Sequence, residues 1–272
     1  MNQAQKLSVL TLTCLSLAAA PASGEVVFVD YDAETVKAHG DFPSRAALAE
    51  LVSALHGAGA KAVILKFFLD GPGKEPDNTQ LAEAIGKGRT VLQATVNTEP
   101  PTTRELPARF RFPGKPPFQP AIQGDAGWLP LARFSDKAAR VCFADVRSLE
   151  RLPMLEIFGG HPVPSLYACL LAEERGKEMR FSANAVEFGT ARWPTNAQGE
   201  VAIQLELGHA GRLPALRIFA AKDWQSHVRG KVAVLMYTGP RSPTLAFRGK
   251  QEKVHDLFAA QVGALLKSTS RK

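Results

Sequence analysis

Short apolar runs alternate with amphipathic stretches along most of the chain. VVFVD at 26 to 30 is apolar and β-branched, and SRAALAELVSALHGAG at 44 to 59 places Ala47, Leu48, Leu51, Val52 and Leu55 at helical spacing. Gly57 or Gly59 ends that helix, and AVILKFFL at 62 to 69 is the next apolar run. Strand, helix and strand in this order predict a βαβ unit with parallel strands and a right-handed crossover. A further helix is expected from Asn78 to Gly86, with TVLQATV at 90 to 96 as a third strand. These strands are apolar almost without interruption, as in a parallel sheet covered on both faces. The expected fold class is therefore α/β, a mixed and largely parallel sheet covered by helices.

The pattern breaks between Glu99 and Pro120, where seven prolines occur among Arg104, Arg109, Arg111 and Lys115. Such a stretch is a loop, and it is open to two readings: a basic docking arm, or a solvated crossing in polyproline conformation. Regular elements resume with a strand near Arg140 to Phe143, a helix from Pro164 to Glu174 and a hairpin through MRFSANAVEFG. Strands are expected at VAIQLEL (201 to 207) and KVAVLMY (231 to 237). The last element is a helix from Gln251 to Lys267, with Val254, Leu257, Phe258, Val262 and Leu265 at steps of three and four.

Residues 1 to 24 differ from all of this. MNQAQKLSVLTLTCLSLAAAPASG joins a short start carrying Lys6 to an apolar run from Leu7 to Ala20 and the small residues Ala22, Ser23 and Gly24. That is the three-part form of a secretory signal peptide, with cleavage after Ala22 or Gly24. The apolar run of about fourteen residues would rise about 21 Å as a helix, short of a hydrocarbon core near 30 Å. The expectation is an exported chain, periplasmic or secreted, with no transmembrane segment after cleavage. Two cysteines then remain, Cys142 and Cys169; in an oxidising compartment they permit one disulfide, and as two buried reduced thiols they would fit equally well.

Composition narrows the function classes. With 272 residues, 45% hydrophobic and 22% charged, the chain is neither disordered, collagenous nor a multi-span membrane protein. A net charge of +7 attracts acidic partners, but the basic residues are dispersed among acids without an aromatic stripe, so no nucleic-acid partner is expected. No G-x-S-x-G elbow or P-loop is present, and the six histidines, His39, His56, His161, His209, His227 and His255, form no local metal-binding pair. IFGGHPVP at 157 to 164 lacks a dinucleotide fingerprint and reads as a turn before a Pro-capped helix. No cofactor is implied.

Candidate chemistry lies at strand ends, where ligands gather in open α/β sheets. Asp30 and Asp32 leave the first strand, Lys66 and Asp70 lie in and after the second, and Asn97 follows the third. The carboxylates suit a cation or a ligand amine, with Lys66 as counter-charge. Equally, Asp30 and Asp32 can cap the segment that follows, with Lys66 snorkelling or pairing with one of them.

VVFVDYDAETVKAHGDFP resembles the opening of CHASE2 domains, the extracytoplasmic sensory modules of bacterial cyclases and histidine kinases: an apolar strand, Asp-x-Asp, a short helix, then Gly-x-aromatic-Pro, here Asp30, Asp32, Gly40, Phe42 and Pro43. LAELVSALHGAGAKAVILKFFLDGPGKEPDNTQLAEAI is similar to the next block of that family. Arg151, Leu152 and Pro153, then PVPSLYACLLAEE, GKVAVLMYTG and VHDLFAAQVGALL follow in the family's order. The chain departs from the pattern at Lys66, where the family commonly has Asp, and at ADVRSLER, which lacks the family's glycines. The resemblance implies a signal peptide at 1–24, one CHASE2-like domain at 25–268 and a tail at 269–272. The implied function is signal reception without catalysis or an output domain of its own, with an unidentified small molecule or an envelope signalling protein as partner. Two other readings stand beside it: an exported metal-assisted hydrolase using Asp30 and Asp32, and an envelope assembly protein docking through an edge strand or the Pro-rich loop.

Overall fold

A computed structural model describes residues 26–96, 105–208, 211–221 and 223–268, and the backbone of 270 and 271. The expected leader, Asn97 and the first part of the Pro-rich loop lie outside the described residues. Six strands form the central sheet: β1 (Val26–Tyr31), β2 (Ala62–Lys66), β3 (Thr90–Ala94), β4 (Arg140–Phe143), β5 (Arg212–Pro214) and β6 (Val232–Tyr237). Their order is β5-β1-β6-β2-β3-β4, and every pairing is parallel. β1 and β2 are thus parallel as the βαβ pattern predicts, but they are not neighbours, because β6 is inserted between them.

Side chains alternate between two buried faces, as the strand period of two requires. Val27, Val29, Val63, Leu65, Ala233 and Leu235 face α1 (Ala33–His39), α2 (Arg45–Gly57) and α3 (Asp77–Gly86). Phe28, Ile64, Val232, Val234 and Met236 face α4 (Leu166–Arg175) and α5 (Val254–Lys267). The result is a helix–sheet–helix sandwich, and it explains why the strands carry no polar alternation.

Local sequence accounts for several helix ends. Asp32 accepts hydrogen bonds from the Thr35 N–H and hydroxyl at the start of α1, Ser44 caps α2, and Ser165 caps α4. The expected Pro cap of α4 is therefore corrected: Pro164 ends a hairpin, Leu155–Phe158 with His161–Pro164, that turns at Gly159 and Gly160, both with positive φ. Strand structure at 201 to 207 shrinks to Glu200–Ala202, which pairs with Arg151–Pro153. Gln251, expected in the closing helix, belongs to a hairpin of Thr244–Phe247 and Lys250–Lys253 that joins β6 to α5. Met179–Ser182, Ala185–Phe188 and Ala191–Pro194 form the meander over α4 and α5, and Ser270–Arg271 adds a fourth strand.

From residue 105 onward the Pro-rich loop runs over the surface with one short 3-10 turn, Ala108–Phe110, most of its residues exposed or half-buried, and is pinned at Leu106, Phe110 and Pro120. Leu106, Phe110 and Ile122 are buried in the core, because a run with apolar residues between its prolines can seat them there without regular structure. Arg109 donates to the Ser135 carbonyl and Arg111 to that of Leu106, so these cations hold the loop in place. On the other face, Cys142 of β4 and Cys169 of α4 are joined in a disulfide with Cα atoms 6.5 Å apart.

Candidate functional site

The carboxyl edge of the sheet is where neighbouring strands part company. β1 and β2 lead into the α1–α3 layer, whereas β6, lying between them, leads through its hairpin to α5 in the opposite layer. The space over such diverging strand ends is the crevice in which open α/β sheets hold ligands.

Three residues stand in one row along that edge. Asp30 is opposite Met236, and Met236 is opposite Lys66, all on the α5 side of the sheet. Two strand spacings separate Asp30 from Lys66, about 9–10 Å, with the Met236 side chain between them. The two form no salt bridge with each other. Asp30 bonds instead with Arg212 of β5, whose Nη1 donates to both carboxylate oxygens at 3.0 Å. Nη2 of the same guanidinium meets Asp256, in the first turn of α5, at 2.7 Å. Arg212 thus engages both carboxylates of the crevice.

Lys66 is 8% exposed. Its ammonium lies 4.9 Å from the centre of the Phe258 ring on α5, and no salt bridge to it is formed among the described residues. Burial pushes it down to about 8. His255, one turn earlier on the same helix, bonds through Nδ1 to the Tyr237 carbonyl. Its pKa falls to about 4, first through burial and then through the positive charges of Lys66 and Arg212, so the ring is neutral at pH 7. Burial raises Asp30 to about 6 against the pull of Arg212. Three groups with displaced titration thus lie at one sheet edge, which makes it the candidate site.

The remaining predicted residues separate. Asp32 caps α1, so the two aspartates do not form a joint cation site. Asp70 lies on the α2–α3 side, in the field of Arg45, which itself bonds to Asn78 and the Gly71 carbonyl. Among the described residues no three His, Cys, Asp or Glu side chains are grouped to hold a metal ion. Arg212, His255 and Asp256 were invisible as site residues in the sequence. Arg212 is 182 residues from Asp30, and the three-residue strand carrying it is too short to show a pattern.

A second polar centre lies beyond β3 and β4. Asp145 accepts from the Val96 N–H at 2.7 Å and lines a cavity of about 420 Å³ with Gln123 and Arg147. Behind it Glu156 is fully buried, which raises its carboxyl well above the usual range, and the charge of Asp145 adds to the effect.

A six-stranded all-parallel sheet covered by helices on both faces places the chain in the α/β class. The CHASE2 domain model matches residues 3–250, most of the chain, and the protein belongs to the CHASE2 family of extracytoplasmic sensory domains. Searches of curated proteins and of solved structures returned no significant match. No helix among the described residues is long and apolar enough to cross a membrane.

Proposed function

We propose that the chain is exported, loses residues 1–24, and works outside the cytoplasm as a sensory domain that binds a small ligand in the crevice over β1, β6 and β2, passing its state to an envelope signalling protein. Family membership supports the sensory role, and a disulfide between two buried cysteines suits an oxidising compartment. The observation that supports the ligand reading is Lys66, a largely buried cation that the fold holds at a strand end, against the Phe258 ring and with no salt bridge among the described residues.

A sensor must favour one conformation when occupied. The crevice has a route for this, because His255 and Lys253 tie the start of α5 to the Tyr237 and Thr238 carbonyls at the end of β6. A ligand at Lys66 would load the first turn of α5 and the hairpin before it, where Leu245 is exposed. The test is a thermal-shift screen of the purified chain against small metabolites, run in parallel on Asp30→Asn. At a hundred times its Kd a ligand stabilises the protein by about 2.7 kcal/mol. The reading requires at least one such ligand whose effect is lost or weakened in Asp30→Asn; ligands that stabilise both proteins equally would overturn it.

A further inference from the structure

The Pro-rich loop carries basic residues that the strand-end crevice does not use, and two of them meet a third cation at the outer edge of the sheet. β4 is the last strand of the sheet, and a cavity of about 310 Å³ lies against its first residues, Arg140 and Val141. Arg109 and Arg111 of the loop line this cavity together with Arg140, and Phe110, Phe112 and Met179 are among its apolar walls. Its volume is at the lower end of the roughly 300–1,000 Å³ of small-molecule sites, which are mostly apolar with a few convergent polar groups.

The three guanidinium groups are not matched by acids. Arg109 donates once, to the Ser135 carbonyl, and stands 4.4 Å from the centre of the Phe110 ring, with no carboxylate partner among the described residues. Arg111 spends its bonds on the Leu106 carbonyl and on His161 Nε2, while Glu105 stands 3.9 Å away and is 93% exposed. Arg140 bonds to Glu173, a carboxylate already held twice by Arg89, and then reaches Glu178 at 3.3 and 3.4 Å. Guanidinium–carboxylate bonds run about 2.7–2.9 Å, so Glu178, itself 83% exposed, sits loosely on Arg140 from the cavity wall. Positive charge is thus left in excess around the cavity. The side chains of Arg111 and Arg140 are 25% and 23% exposed, so water and salt screen them only in part. The wall opposite is braced: Phe112 N–H donates to the Pro162 carbonyl at 2.7 Å, and its ring makes a T-shaped contact with Phe181 at 5.1 Å.

We infer that this cavity is a binding site separate from the crevice, for a small molecule that carries a carboxylate or a phosphate on a flat apolar body. The oxyanion takes the remaining donors of Arg109 and replaces Glu178 on Arg140, and the body lies against Phe110, Phe112 and Met179. The site does not depend on the crevice reading. It adjoins the start of β4, whereas the crevice lies over the far ends of β1, β6 and β2, with β3 between them.

In the full chain labelled with ¹³C-methyl methionine, the Met179 methyl reports on this cavity and the Met236 methyl on the crevice. Benzoate and phenyl phosphate are titrated at constant ionic strength, with benzylamine as the cationic counterpart. A saturable shift of Met179 is expected with benzoate, with phenyl phosphate or with both, and none with benzylamine; benzoate alone assigns a carboxylate ligand, phenyl phosphate alone a phosphate ligand. Arg109→Gln, which leaves no acid without its partner, should weaken binding about tenfold or more, as expected for loss of a charge-assisted contact. Glu178→Gln, which removes the competing carboxylate, should tighten it severalfold, and a general loss of folding would not move the two variants in opposite directions. No saturable Met179 shift with either anion, an equal shift with benzylamine, unchanged affinity in Arg109→Gln or affinity not raised in Glu178→Gln overturns the inference. A shift confined to Met236 also overturns it, while leaving the crevice as a ligand site.

Discussion

At the scale of single residues, Lys66 and Asp30 are held at a cost to stability. Lys66 releases its proton near pH 8 in the fold but near 10.5 in the unfolded chain, so the unfolded chain holds more protons between those values and stability rises with pH through that window. Asp30 has the opposite sense: its folded value near 6 exceeds the ordinary 3.8, so stability falls as pH rises from about 4 to 6. Both penalties are in full force between pH 6 and 8. Lys66→Met should therefore raise stability at pH 7, by roughly 1–3 kcal/mol, and should abolish the rise above pH 8. Urea melts at pH 7 and pH 9.5 check both statements; a destabilised Lys66→Met would mean that the ammonium has a structural partner. Glu173 shows what a structural charge looks like in the same molecule. Burial would raise it, but Arg89, bonded twice at 2.7 Å, and Arg140 at 3.0 Å win and hold its carboxyl below the usual range. Glu173→Gln should lower stability by roughly 3 kcal/mol at pH 7, with the wild-type advantage disappearing as acid protonates the carboxylate.

At the scale of elements, the strands and helices were legible where burial imposed a period. α2 and α3 matched their apolar spacing within one or two residues, and β1, β2, β3 and β6 were apolar because both faces are covered. The hairpin before α5 was not legible: its strands are largely exposed, and TLAF and KQEK have no buried face to impose an alternation. Asp32 was open between cap and ligand and is a cap in the fold. Asp32→Ala should destabilise the protein by about 1 kcal/mol without changing the response to any ligand, a result thermal shift reads directly. A ligand response abolished by this substitution would assign Asp32 to the site. The Cys142–Cys169 bond spans 27 residues and fastens β4 to α4. By loop entropy it should contribute about 3–4 kcal/mol, seen as a lowered unfolding midpoint in reductant, and the masses with and without reductant should differ by two hydrogen atoms. Equal masses would show two free thiols.

At the scale of the whole molecule, the sheet order is what the linear pattern concealed. Parallel strands with short helical crossovers were readable one βαβ unit at a time, but nothing local shows that β6, almost the last strand in the chain, sits between β1 and β2. That insertion is what creates the crevice, because it sets a strand that leads to α5 between two that lead away from it. Asp30 and Lys66 could be singled out as polar residues in apolar runs, whereas Arg212, the partner of Asp30, and Asp256, the second partner of Arg212, could not, since both come from the far half of the chain. In the function proposed, the same placement makes the carboxyl edge the point at which a ligand would act on α5 and the exposed hairpin.

Hydrogen exchange on the chain with and without a stabilising ligand tests this most directly. Protection is expected at residues 30–32, 66–68, 237–239 and 254–258, the four segments that converge over β1, β6 and β2. Protection confined to the Asp145 cavity, or to no segment at the carboxyl edge, would contradict the account.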